Sequence, residues 1–156
     1  MNTNPGCLGV FLKLFNQKKD TPELSYQSAG PLLSEAEKLF YTSLQTAFGQ
    51  TYWIYPKVRL ADLIKPTAKP RTSEWHTAFN KIKSKHVDFV VCHPESFDVV
   101  AVFELDDASH ERRDRKDRDA MVDQALSSCG IAIHHIKATN QYDAEALAAM
   151  LNPPLQ

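Results

Sequence analysis

Two apolar, largely β-branched runs near the middle of the chain constrain most of what it can fold into. Val87-Asp88-Phe89-Val90-Val91-Cys92 is the first, and Asp98-Val99-Val100-Ala101-Val102-Phe103-Glu104-Leu105 is the second. Between them lies a short segment around His93-Pro94-Glu95-Ser96, which reads as a turn. Such residues favour strands, and so short a connection joins antiparallel neighbours. A hairpin is therefore expected here. Each run carries an acid: Asp88 interrupts the first and Glu104 ends the apolar part of the second. Acids beside continuous apolar sequence are buried or at a sheet end, where an unpaired charge is costly.

The rest of the chain supplies helices and two more strands. Ser34-Glu35-Ala36-Glu37 has the form of a capping box, and Leu39, Phe40, Leu44, Ala47 and Phe48 follow at helical spacing. Gly49 should end that helix. Tyr52 to Val58 is aromatic and β-branched and reads as a strand, with Pro56 marking an edge or a bulge. Pro66 and Pro70 mark a loop, after which Ser73 is positioned to cap a helix carrying Trp75, Phe79 and Ile82. A charged helix is expected from about His110 to Ser128, with Met121, Val122 and Ala125 inward and Gly130 as the residue past its end. Ile131 to Ile136 is a last strand, and Asp143 to Leu151 a last helix stopped by Pro153 and Pro154. The order is α-β-α-β-β-α-β-α, an α/β (α+β) fold with a mixed four-stranded sheet flanked by helices.

With 156 residues, the chain has room for one domain and a tail. Residues 1–30 read as that tail and linker, and 31–152 as the domain. The tail's apolar segment, Cys7 to Phe15, is nine residues long, against the roughly 20 that cross a bilayer. It can pack on the domain, or meet a partner or a membrane surface with Lys13, Lys18 and Lys19. Three well-separated cysteines, Cys7, Cys92 and Cys129, argue against a disulfide framework and against a zinc finger. They point to a reducing, cytoplasmic setting, and Cys92 and Cys129 are expected as buried thiols.

The net charge of −1 conceals a division. Residues 57–85 hold eight basic residues against two acidic ones, whereas residues 86–156 hold six basic against thirteen acidic. A basic stretch beside an acidic cluster can hold a phosphate backbone and a cation together. The same pattern also arises from two solvated faces that balance. Lys57, Arg59, Lys69, Arg71, Lys81 and Lys83 are the candidates for nucleic-acid contact.

The segment Glu104-Leu105-Asp106-Asp107-Ala108-Ser109-His110 carries the chemistry, together with Asp88. Glu104 and Asp106 share a face if the strand runs through both, and Asp88 on the adjacent strand can reach the same point. Three converging carboxylates repel unless a cation joins them. Hard oxygen donors suit Mg²⁺ or Mn²⁺, with water and substrate phosphate completing the shell. The competing arrangement pairs these acids with Arg112, Arg113, Arg115 or Arg118. His134 and His135 face opposite ways on their strand, so at most one can join such a site.

These residues sit in a pattern that resembles a known family. Leu33 to Tyr41, Pro56 to Asp62, Lys85 to Val90, Glu104 to His110 and Arg118-Asp119 resemble the family catalogued as domain of unknown function 2726. The element order is similar to the core of the PD-(D/E)XK nuclease superfamily, and Glu-x-Asp-x-x-x-His to its very-short-patch-repair endonuclease branch. The resemblance implies a restriction-endonuclease-like fold and metal-dependent cleavage of DNA, with Asp88 and Glu104 as metal ligands. It implies that Glu37 supports the metal through water and that His110 acts as acid or base near the scissile phosphate. Asp106 occupies the position of the motif lysine, where an acid can add a metal ligand but cannot stabilise developing negative charge. Lys85 is a candidate for the displaced cation, and Arg118-Asp119 for site support.

Each role has a plainer counterpart: Glu37 as capping residue, His110 as a cap or partner of Asp114, Lys85 as a surface lysine, Arg118-Asp119 as an exposed pair. Three readings follow. The first is a Mg²⁺- or Mn²⁺-dependent DNA endonuclease or nickase, which can act as a homodimer. The second is a nuclease fold that no longer cuts and binds nucleic acid or protein. The third is a structural α/β protein.

Overall fold

A computed structural model describes residues 24–106 and 113–151, with backbone alone for 113–119. The chain divides between Leu32 and Leu33. In the larger unit the described elements are α1 (Glu35–Phe48), β1 (Trp53–Arg59), α2 (Leu60–Leu63), α3 (Ser73–Ile82), β2 (His86–Cys92), β3 (Val99–Asp106), α4 (Arg113–Ser127), β4 (Ala132–Lys137) and α5 (Ala144–Leu151). The fold is mixed α/β, with one four-stranded sheet in the order β1-β2-β3-β4. β1, β2 and β3 form an antiparallel meander. β4 returns through α4 to run parallel to β3.

Apolar cores lie on both faces of the sheet. On one, Phe40, Leu44 and Phe48 of α1 and Leu147 of α5 pack on Ile54, Phe89, Val91, Ala101 and Phe103. Phe40 sits edge-on to Phe89 at 5.5 Å and to Phe103 at 6.4 Å. On the other, Ile82 of α3 and Val122 and Leu126 of α4 pack on Val87, Val90 and Val102, with Leu60 alongside. β2 and β3 are thus covered on both sides, which is why their sequences are continuously apolar.

Local signals hold with a few corrections. Ser34 and Glu37 form the reciprocal capping box of α1. The cap of α3 is Thr72, whose hydroxyl accepts from the Trp75 N–H, so Ser73 is the first helical residue instead. Gly130 takes the left-handed conformation (φ 73°) after α4. Gly49 ends α1 in a right-handed conformation; a Cβ there would lie 2.5 Å from the Gln45 carbonyl oxygen. β1 is an edge strand, one of the two placements that Pro56 allowed. Among the described residues no helix is long and apolar enough to cross a membrane. The segment Cys7 to Phe15 and His110 lie outside the described residues.

Candidate active site

A left-handed residue in β1 organises the site. Lys57 has φ 56°, a conformation that costs a non-glycine side chain free energy and needs surrounding structure to hold it. Its effect is visible in the packing. Ile54 and Val58 are four residues apart and should share a face, yet they join opposite cores. On β2 the same reversal separates Val87 from Phe89. The register continues from Pro56↔Phe89 to Val58↔Val87, so Lys57 and Asp88 lie opposite one another at the rung where both strands change face.

There the Lys57 ammonium bridges two carboxylates. It donates to Asp88 Oδ1 at 3.1 Å and to Glu37 Oε1. All three side chains are mostly withdrawn from solvent, at 31% exposure for Lys57, 17% for Glu37 and 21% for Asp88. Glu37 is the capping residue that its sequence context offered, and it also holds Lys57, a contact the sequence did not suggest. Its Oε2 accepts the Ser34 N–H at 2.8 Å, and its other oxygen holds Lys57. Burial alone would raise the Glu37 carboxyl; the hydrogen bonds from Lys57 and Ser34 outweigh it and hold the group below its usual range. Burial likewise opposes the Lys57 charge, but Glu37 and Asp88 hold its pKa above the ordinary lysine value.

Asp88 also marks where the sheet opens. The β2–β3 ladder ends at Phe89↔Phe103, and one more rung would set Asp88 opposite Glu104. Instead the Asp88 Oδ2 accepts the Leu105 N–H at 3.0 Å. A side chain thus satisfies a backbone donor that the ladder leaves. Glu104 is half-buried on β3 at this opening.

Asp106 follows a different path. Its Oδ1 lies 3.4 Å from His135 Nδ1, and His135 Nε2 lies 3.0 Å from Asp123 Oδ1 on α4. Burial would lower the His135 pKa, yet the two carboxylates raise it above the ordinary value. His134 faces the other way, stacked on Phe103 at 4.9 Å, and burial lowers its pKa. Among the described residues, no three or more His, Cys, Asp and Glu side chains gather closely enough to hold a metal ion.

The remaining sequence candidates are dispersed. The cation set against Asp88 is Lys57, supplied by β1, where a partner from the arginine-rich helix was one expectation. Lys85 has no ion pair among the described residues; its backbone carbonyl accepts the Leu60 N–H at 2.8 Å. Arg59 pairs with Asp62, Nε to Oδ2 at 3.1 Å, on the surface. Lys69, Arg71, Lys81 and Lys83 are exposed. Lys81 joins Lys65, Ile64, Ala78 and Met121 in lining an open groove of about 850 Å³ between the loop after α2, α3 and α4. Cys92 is buried as expected, but Cys129 is exposed, because the chain turns there after α4. The Arg118 and Asp119 side chains lie outside the described residues. Sequence reasoning missed the placement of Lys57 among the acids. The available signal was its distance before Asp88, which makes them cross-strand neighbours only once the register is known.

A family model described as a protein of unknown function (DUF2726) matches residues 29–153. No curated protein and no solved structure matches the chain.

Proposed function

We propose that this chain, which belongs to the DUF2726 family over residues 29–153, hydrolyses phosphodiester bonds of DNA with the help of Mg²⁺ or Mn²⁺. The observation that carries the reading is the Lys57 ammonium, bridging Glu37 and Asp88 where the β2–β3 ladder opens beside Glu104. The motif on β3 has an acid, Asp106, at the lysine position of the superfamily motif, as the very-short-patch-repair branch that it resembles also does. Lys57 brings a cation to the same acids from the neighbouring edge strand.

Asp88 and Glu104 would hold the divalent ion. Two carboxylates are enough for Mg²⁺, which keeps several waters and takes substrate phosphate oxygens as further ligands. When bound, the ion would polarise a phosphoryl oxygen and acidify water. Lys57 supplies a fixed positive charge beside Asp88, suited to negative charge developing on the phosphate. Glu37 holds Lys57 in place while capping α1. The exposed cations Lys69, Arg71, Lys81 and Lys83 offer sequence-independent contacts to the phosphate backbone. His110 remains the candidate proton donor or acceptor that the family resemblance suggests. Asp106, engaged by His135, serves better as a support for the end of β3 than as a third ligand.

The second reading, a binding module that no longer cuts, draws on the same ion-paired network. Lys57 ion-pairs with Glu37 and Asp88 together. Incubating supercoiled plasmid with the purified protein in Mg²⁺ and Mn²⁺, with EDTA and Glu104→Ala as controls, separates the two. The hydrolytic reading expects metal-dependent nicking that both controls abolish. Intact plasmid, with a folded protein that still binds DNA, would refute it and leave the binding module.

A further inference from the structure

The far end of β1 carries a surface that the hydrolytic reading does not use. Trp53, Tyr55 and Phe97 are 53%, 38% and 58% exposed, although aromatic rings are costly to leave in water. They form a group. Tyr55 and Phe97 have ring centroids 6.4 Å apart at 33°. Trp53 and Tyr55 are alternate residues of the edge strand, so they share a face. The Trp53 indole N–H donates to the Pro94 carbonyl at 3.2 Å, which ties its ring to the turn that presents Phe97.

That turn keeps its ring exposed against backbone preference. Phe97 has φ 61°, which a bulky residue adopts only when its surroundings impose it. The Phe97 N–H donates to the His93 carbonyl at 3.0 Å, and the His93 N–H to the Asp98 carbonyl at 2.9 Å, so the backbone is closed around it. A glycine would suit this position better for folding alone.

The charge beside the rings decides what they fit. Glu95 and Asp98 flank Phe97 in the turn, are exposed, and have no ion-pair partner among the described residues. Among the described residues, the Asp98 carboxylate accepts a single hydrogen bond, from the Ser96 hydroxyl at 2.6 Å. Carboxylates repel a phosphate backbone, which makes the patch a poor platform for nucleic-acid bases. Aromatic faces with adjacent carboxylates attract cations, guanidinium groups most of all, because these stack on a ring while pairing with an acid.

We infer that the Trp53, Tyr55 and Phe97 rings, with Glu95 and Asp98, form the docking surface for an arginine-bearing segment of a partner protein. The patch adjoins the Trp53↔Cys92 rung, four residues along β2 from Asp88. A partner bound there leaves the Asp88 and Glu104 end of the sheet open. The inference stands independently of the hydrolytic reading.

The test titrates the full chain with a blocked tetra-arginine peptide, in a Trp75→Phe background so that Trp53 is the sole indole reporter. The expected result is a saturable change in Trp53 fluorescence that weakens with added salt. Phe97→Gly should weaken binding at least tenfold while circular dichroism and the melting temperature show a folded domain. Glu95→Gln combined with Asp98→Asn should do the same without touching the rings. No saturable change with tetra-arginine would overturn the inference, as would undiminished binding by both variants. Saturation by oligothymidylate but not by the peptide would make the patch a nucleic-acid surface. Self-association through these rings, seen as a dimer that Phe97→Gly dissolves, would make it an interface between copies. Either result would also overturn the inference.

Discussion

Replacing Lys57 by methionine keeps most of the side chain but removes its charged end, leaving Glu37 and Asp88 without their common partner. Breaking a buried ion pair costs about 3–5 kcal/mol, because a charge stays behind uncompensated. These side chains retain 17–31% exposure, so solvent screening reduces the expected loss to roughly 2–3 kcal/mol. Part of any Lys57 substitution is backbone. At φ 56°, a non-glycine residue stores about 1–2 kcal/mol. Lys57→Gly deletes the same charge but relieves that strain, so it should be less destabilising than Lys57→Met by about 1 kcal/mol after its greater unfolded-state freedom is counted.

Urea unfolding followed by circular dichroism at pH 7 measures both values, with unchanged slopes showing that the unfolded reference is the same. The loss should also depend on pH. The folded-state pKa of Glu37 is depressed, so its contribution is complete above its ordinary value near 4.5 and disappears as pH falls through the lower folded value. Lys57→Met lacks that contribution, and the gap between it and the wild type should narrow below about pH 4.5. A neutral or stabilising Lys57→Met, or a gap that widens in acid, would refute the account of the ion-paired cluster.

Other consequences are direct. The raised pKa of His135 contributes stability that is complete below the ordinary histidine value near 6.5 and is lost as pH rises through the folded value. His135→Gln should abolish that decline above about pH 6.5, read as a flatter melting-temperature profile with pH. Phe97→Gly gains relief of left-handed strain and loses the Tyr55 contact and some unfolded-state restriction, so it should lie within about 1 kcal/mol of the wild type in urea unfolding. Phe40→Ala, which empties the centre of the α1-side core, should cost about 3–5 kcal/mol by the same measurement. A cost for Phe97→Gly as large as that for Phe40→Ala would mean that the exposed ring is structural after all.

Much of the sheet was legible because its signals are local. The runs around Val90 and Val102 mark β2 and β3 nearly to the residue, and Pro56 leaves an edge or a bulge for β1, of which the structure shows the edge. The capping box at Ser34 and Glu37 gave the start of α1. The single turn of α2 escaped, because Leu60-Ala61-Asp62-Leu63 carries no periodic pattern longer than itself. Thr72 and Ser73 offer adjacent hydroxyls, and only the geometry distinguishes the cap from the first helical residue.

The acids of the candidate site were legible as types and positions, but their partners were not. Asp88 and Glu104 stand out against apolar sequence. That Asp88 meets Lys57 depends on a long-range register and on a left-handed residue, neither of which leaves a mark in sequence. In the sequence Lys57 is one member of a basic stretch; its left-handed backbone turns it toward Glu37 and Asp88. Asp106 was expected beside Glu104 at the metal; the contacts it makes, through His135 to Asp123, depend on how β4 and α4 return.

Comparing nicking rates of supercoiled plasmid by the wild type, Lys57→Met and Asp106→Asn in Mg²⁺, with each variant shown folded, tests the central claim most directly. A fixed cation that stabilises transition-state charge contributes on the order of a hundredfold or more to the rate. Lys57→Met should therefore fall by at least that factor, while Asp106→Asn keeps most of the activity. Undiminished cleavage by Lys57→Met, or its loss in Asp106→Asn alone, would contradict the assignment of Lys57 as the cation of the site.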